Sequence, residues 1–145
     1  MNDFNAKMIK EFRAKRGKDA HTSSGRMEFD GVPLILLHHI GAISGTERVN
    51  PVVCYPQSDG SLAVIASNGG APRHPDWYNN LKAHPQVDVE FGPEILRVAV
   101  RELGESERDV VWTGALRMAP QLREIQERTS RQIPVLLLTR ITEGS

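Results

Sequence analysis

The sequence lacks most of what would advertise a chemistry. It holds a single cysteine, Cys54, so no disulfide can form within the chain, and such thiol-poor composition suits a reducing compartment. It carries no net charge: 18 Lys and Arg balance 18 Asp and Glu, which removes the broad positive field of a nucleic-acid binder. Its longest apolar runs, VPLILL at 32–37 and IPVLLL at 133–138, fall far short of the ~20 residues that span a bilayer. The charged N-terminus has no apolar stretch of the secretory kind. The expectation is a cytoplasmic protein.

Familiar catalytic signatures are also missing. The histidines, His21, His38, His39, His74 and His84, show neither clustered ligand spacing nor an H-E-x-x-H helix, and no metal site is expected. His38 and His39 are neighbours on an expected strand, so they should point to opposite faces. GAISG at 41–45 puts its serine fourth rather than third, which excludes a nucleophile elbow. Rossmann and P-loop fingerprints are absent. Cys54 has no activating neighbour in sequence and reads as a buried strand residue. No catalytic side chain is assigned.

What is present is one domain's worth of chain, 145 residues with 39% apolar, enough for a single core. Residues 3–16 space Phe4, Met8 and Phe12 four apart, with Ile9 beside them and Gly17 as a stop. This pattern predicts an amphipathic helix whose other face carries Lys7, Lys10, Arg13, Lys15 and Arg16. That basic face is solvated, or else makes weak contact with a membrane surface. The helix and a polar connector occupy 1–26, leaving 27–145 for the main domain.

Six β-rich segments follow, at 32–40, 47–55, 62–67, 86–91, 94–102 and 133–141. Short links at 41–46, 56–61 and 92–93 make several of them hairpins, which argues for an antiparallel barrel rather than a parallel sheet. Helices are expected from Pro75 to about Ala83, from a capped start at Ser106 and Asp109, and after Pro120, where Leu122 and Ile125 share one side.

Two glycine-punctuated loops stand out. GAISGTERVNPVV at 41–53 gathers Ser44, Thr46 and Arg48 where hydroxyls, backbone N–H groups and a guanidinium could meet phosphate. SNGGAPRHPDWYNNL at 67–81 places Ser67, Asn68, Gly69 and Gly70 before a helix start. Glycine allows close backbone approach and a helix N-terminus favours anions. On residue pattern alone, both loops could equally be plain turns, with Trp77 plugging one end of a barrel.

GAISGTERVNPVVCY, VIASNGGAPRHPDWYNNLKAHPQVDVEF and RTSRQIPVLLLT, in that order, resemble the deazaflavin-dependent nitroreductases of actinobacteria over about residues 27–140. The resemblance implies a six-stranded antiparallel split β-barrel of the FMN-binding type with flanking helices, a mainly β (α+β) fold. It implies coenzyme F420 as cofactor, with hydride passing from the reduced deazaflavin to quinones, conjugated enones or nitro compounds. In the implied site, Ile43, Ser44 and Arg48 hold the phosphate and acidic tail. Val49, Asn50, Pro51, Val52 and Val53 run along the ring and ribityl chain. Ile65, Ala66, Ser67, Asn68 and Gly69 form the next strand end and turn, and Asp76, Trp77, Tyr78 and Asn80 the helix start that closes over the cofactor.

The chain departs from the family in two places. Ala42, Ile43 and Asn68 stand where relatives commonly carry basic residues, and each lost charge-assisted contact is worth about 1.5–3 kcal/mol. Ala119, Leu122 and Ile125 stand where the nitroimidazole-activating member has tyrosines, giving an apolar substrate wall suited to quinones and enones. Two alternatives stay open: FMN in place of F420, or a non-catalytic carrier of F420 or of an apolar ligand. The partners implied are a small apolar acceptor and, by analogy, a second copy of the chain, with no nucleic acid.

Overall fold

A computed structural model describes residues 3–15, 28–29 and 32–141. In chain order they form α1 (Asp3–Lys15), β1 (Glu28–Phe29), β2 (Val32–Ile40), β3 (Glu47–Pro56), β4 (Leu62–Ile65), a 3-10 turn (Asn68–Gly70), α2 (Asp76–Ala83), β5 (Gln86–Phe91), β6 (Glu94–Glu102), α3 (Glu105–Met118), α4 (Leu122–Glu127) and β7 (Val135–Arg140). Strands run in the order β2-β3-β4-β7-β6-β5, every pair antiparallel. β5 then pairs back with β2 through Leu36↔Glu90 and Leu37↔Val89, closing a six-stranded barrel. The short β1 adds to β2 through Glu28↔Pro33 and Phe29↔Val32, a bridge the sequence does not signal.

The pleat of β2 explains its unbroken apolar run. Ile35 and Leu37 point into the barrel with Val52, Cys54, Val64, Val89 and Leu136, while Leu34 and Leu36 point outward under α1. The same alternation sends His39 inward and His38 outward, as expected. Cys54 is a buried barrel residue. A third apolar layer lies outside the barrel wall, where Tyr55, Ala63, Ile65 and Val135 pack against Ala115, Ala119 and Leu122 of the α3–α4 region.

α1 is held to the barrel by both kinds of contact. Ile9 and Phe12, the latter 2% exposed, pack on Leu34 and Leu36. Arg13 donates from Nη2 to Glu90 Oε2 at 2.8 Å and from Nε to Oε1 at 3.4 Å, a two-pronged grip on a nearly buried carboxylate. His38 Nε2 contacts the same Oε2 at 2.6 Å, and its Nδ1 reaches Glu47 Oε1 at 3.2 Å. The apolar stripe of α1 is thus spent on the barrel, with Lys7 and Lys10 left exposed. The Phe4 and Lys15 side chains, Arg16, Gly17 and the connector 17–26 lie outside the described residues.

Several element ends differ from the sequence reading. β4 stops at Ile65 because the chain turns into the 68–70 segment, and β7 starts at Val135 because Pro134 has no N–H to donate. β3 runs one residue further, to Pro56. Pro75 sits at the N-cap of α2 rather than inside it. α3 starts not at a Ser106 cap but at Gly104, whose extended backbone takes the N-cap place while Glu105 and Glu107 meet the helix dipole.

Phe12→Ala should lower the unfolding free energy by about 3 kcal/mol, the usual cost of emptying a buried aromatic site. Urea denaturation followed by circular dichroism measures this, and a loss under about 1 kcal/mol would mean that α1 is not docked in solution.

Candidate functional site

The loop joining β2 to β3 is braced from within and from α2. Gly41 N–H donates to Thr46 O at 2.9 Å, Gly45 N–H to Gly41 O at 2.9 Å, and Thr46 N–H to Ser44 Oγ at 3.2 Å. Gly45 makes this possible with φ +71°, a conformation that side chains disfavour. Ala42 N–H donates at 2.9 Å to Oδ1 of Asn80, a buried residue of α2.

That single backbone donor settles the protonation of the residue beneath. With Asn80 Oδ1 facing Ala42, its Nδ2 must face His39 Nδ1, 2.9 Å away, and an amide nitrogen only donates. His39 therefore accepts at Nδ1, carries its proton on Nε2 and donates it to Asn50 Oδ1 at 2.7 Å. The ring is neutral. Burial pushes its pKa below the ordinary value, opposed by the Asn50 hydrogen bond and assisted by the nearby Arg48 charge.

The second loop is organised by a residue some 60 positions away. Arg131 donates from Nη2 to Ser67 O at 2.6 Å, from Nε to Ala71 O at 2.9 Å, and from Nη1 to Ala66 O at 3.3 Å and His74 Nδ1 at 3.0 Å. One guanidinium collects the backbone acceptors that a sharp turn leaves unpaired. Asn68, at φ +48°, donates from Nδ2 to Arg73 O at 3.0 Å. Gly70, at φ +84°, lies so close to α4 that an added Cβ would come within 2.7 Å of Ile125 O.

Between these loops run three confluent hollows. The first, about 390 Å³, is lined by Pro51, Val53, Tyr55 and Ile65 on the barrel side and Ala119, Leu122 and Ile125 opposite, with Ser67, Asn68, Gly69 and Trp77 at its mouth. A central hollow of about 890 Å³ shares Asn68, Pro75 and Trp77 with it and adds His39, Arg48, Val49 and Asn50. The last, about 420 Å³, shares Arg48 and Asp76 with the centre and is bounded by Ala42, Ile43, Ser44, Asn79 and Asn80. One end is apolar, the middle carries an indole, and the other end carries a cation. Among the described residues the Arg48 guanidinium makes no hydrogen bond or ion pair, so it is available to an anion. The cleft is not strongly basic, because Arg48 and Arg73 share it with Glu47 and Asp76.

Most residues singled out from the sequence line this cleft: Ile43, Ser44, Arg48, Val49, Asn50, Pro51, Val52, Val53, Ile65, Ser67, Asn68, Gly69, Asp76, Trp77, Asn80, Ala119, Leu122 and Ile125. Two do not. Ala66 is fully buried, and only its carbonyl takes part, by accepting from Arg131. The Tyr78 ring packs against the barrel core and its hydroxyl donates to Glu102 Oε1 at 2.6 Å; burial and that bond push its pKa up to about 12. Asp76 and Trp77 border the cleft, while Tyr78, about 100° further round the helix, is drawn to Glu102. Sequence reasoning missed His39, Tyr55, Pro75 and Gln121 in the lining and Arg131 behind it. The pairing of β2 with β3, which sets His39 near Asn50, was the one signal that could have found His39.

A neutral buried His39 makes stability depend on pH. Its folded pKa lies below the unfolded value of about 6.5, so the unfolded chain binds more protons, and stability is full above that value and declines as pH falls beneath it. Urea midpoints between pH 7.5 and 5 should therefore fall with pH, and His39→Gln should flatten the part of the slope just below 6.5. An unchanged slope in the variant would remove His39 from this account.

Comparison with known proteins gives the family. The family model for F420H(2)-dependent quinone reductases matches residues 9–140. An F420H(2)-dependent quinone reductase of Mycobacterium tuberculosis H37Rv is 33% identical over 132 residues, covering 89% of this chain and 85% of that protein. A solved F420-H2 dependent reductase, FDR-A, is 39% identical, with a TM-score of 0.67 over 73% of this chain and 93% of that one. Another solved structure, described as a domain-swapped dimer, is 35% identical, with a TM-score of 0.69 over 92% of this chain and 96% of that one. The match extends over nearly the whole barrel and both loops that frame the cleft: the chain belongs to the F420H(2)-dependent quinone reductase family.

Proposed function

We propose that this protein passes hydride from reduced F420 to a quinone, with the cofactor lying along the cleft between the two braced loops. The observation that carries the reading is the cleft's polarity: an unpaired guanidinium at one end, an indole in the middle and an apolar wall at the other. When bound, F420H2 supplies the hydride, so the protein needs no catalytic dyad of its own. The donor set fits such a group. Arg48 and Ser44 would hold its phosphate, Asn50 and the Pro51–Val53 segment would flank its chain, and Ser67 and Trp77 would orient its ring.

The chain's own residues then do three things. The braced 41–46 loop and the Arg131-held turn keep the binding groups in place before the ligand arrives, which lowers the ordering cost of binding. Val53, Tyr55, Leu122 and Ile125 keep water from the apolar end. Burial pushes the Tyr55 phenol up to about 12, so it stays protonated and neutral at that wall. Ala119, Leu122 and Ile125 carry no phenolic group of their own and offer a flat apolar acceptor a surface, which favours quinones and conjugated enones over nitroimidazoles; the one tyrosine of this lining, Tyr55, belongs to the barrel side. A homodimer is in keeping with the domain-swapped neighbour, and the location is read as cytoplasmic. Among the described residues no helix is long and apolar enough to cross a membrane.

Arg48→Ala should raise the F420 dissociation constant tenfold or more, about 1.4 kcal/mol, by fluorescence titration of the oxidised cofactor. An unchanged constant, or tighter binding of FMN than of F420 by the parent protein, would overturn the assignment. In steady-state assays with reduced F420, quinones and enones should be turned over faster than nitroimidazoles, and the reverse order would contradict the apolar-wall reading. Binding with no turnover of any acceptor would make the protein a carrier.

A further inference from the structure

A separate hollow of about 360 Å³ is lined by Arg108, Trp112, Gln126, Ser130, Arg131 and Gln132, none of which lines the cleft. Its central group is Arg108, in the first turns of α3, with a side chain only 10% exposed. Nε donates to Ile133 O at 3.0 Å, which ties α3 to the chain entering β7. Nη2 reaches Gln126 Oε1 at 3.4 Å, a long bond to an oxygen that already accepts from Ile133 N–H at 3.2 Å. Nη1 makes no hydrogen bond among the described residues. The nearest carboxylate, Asp109 Oδ1, is 3.8 Å away on a side chain 67% exposed. Trp112 covers one face of the guanidinium at 4.8 Å from the ring centroid.

A guanidinium stays charged at any physiological pH, and a buried charge is costly unless it is paired. Anchoring Ile133 needs only Nε. Arg108 borders a hollow whose lining contains a second arginine, a hydroxyl and two amides, and no Asp or Glu. Asp109, at 3.8 Å on a largely exposed side chain, offsets the charge from beyond hydrogen-bond reach; what the arrangement lacks is a charged acceptor, with a planar or tetrahedral set of oxygens, close enough to bond to Nη1. We propose that the hollow is a binding site for a small oxyanion, a carboxylate or a phosphate group, held by Arg108 with Ser130 and Gln132 at the rim. Trp112 would give a ligand's adjoining carbon skeleton a flat surface. The site is independent of the cofactor reading. It does adjoin the cleft's scaffolding, since Gln126 Nε2 donates to Arg131 O at 2.8 Å while the Arg131 guanidinium holds Ser67 and Ala66.

The test is an NMR titration of the full-length protein at constant ionic strength, reading the Arg108 Nε–H and Trp112 indole N–H signals. Sodium phosphate and sodium acetate are added in separate arms, with exposed Arg117 as an internal control. Both signals should shift saturably with at least one anion, with half-saturation below roughly 1 mM. Arg108→Gln should raise that midpoint at least tenfold on the Trp112 signal, whereas Arg48→Ala, which alters the cleft alone, should leave it unchanged. Response to phosphate only, or to acetate only, identifies the group recognised. Linear shifts shared with Arg117 in both arms would overturn the proposal, as would a saturable shift abolished by Arg48→Ala. If Arg108→Gln does not fold, the parent titration and the Arg48→Ala arm still decide.

Discussion

The constraint on which the rest depends is the pairing of β2 with two partners at once. By bonding to β3 on one side and β5 on the other, β2 closes the sheet, and its two faces are committed to different jobs. The inward face builds the barrel core and ends in His39. The outward face receives α1 and ends in His38, which meets Glu90 and Glu47. On β3 the same two-residue period aligns Arg48 and Asn50 with inward Val52 and Cys54, so the polar members emerge at the barrel mouth just where the core runs out. The cation of the cleft owes its position to strand register rather than to a mobile loop.

Both cleft loops are then held by the need to pair buried polar groups. Asn80 links a backbone N–H of the first loop to His39, and His39 passes the constraint to Asn50 on β3, so loop, helix and strand share one chain of hydrogen bonds. Arg131 does the corresponding work for the second loop by gathering three backbone carbonyls and a histidine. In each case the organising group contacts the loop chiefly through its backbone, with the His74 ring the one side chain that Arg131 adds. The visible motif residues can therefore vary while the frame that presents them stays put.

This explains what was legible in the sequence. The strands could be read from β-branched runs and short links, and two glycine-rich loops could be picked out as the places where backbone might meet a ligand. The partners that arise from long-range closure could not be read this way. Nothing near Ser67 points to Arg131, and nothing near Arg13 points to Glu90. β1 escaped notice because a two-residue bridge has no periodicity. Tyr78 lies off the cleft because its hydroxyl is bonded to Glu102 of β6, a long-range partner the quoted motif does not show. The family resemblance was carried by the loops and the segment before β7, the parts that pattern reasoning alone left undecided between turn and site.

The 68–70 turn and the apolar wall of the cleft are also mechanically joined. Gly70 sits so near Ile125 O that only a residue without Cβ lets α4 close down, and Arg128 of the segment after α4 reaches back to Gly69 O at 3.4 Å. The turn assigned to the cofactor thus sets the height of the helix that provides Leu122 and Ile125. α4 is held both by this close approach and by Leu122 and Ile125 in the apolar layer with Tyr55, Ile65 and Val135. Any residue larger than glycine at position 70 would disturb the turn and the wall together. On the proposed reading, acceptor wall and cofactor turn would share this backbone contact but not the same side chains, so a substitution at Leu122 or Ile125 would act on the acceptor while leaving Ser67 and Asn68 untouched.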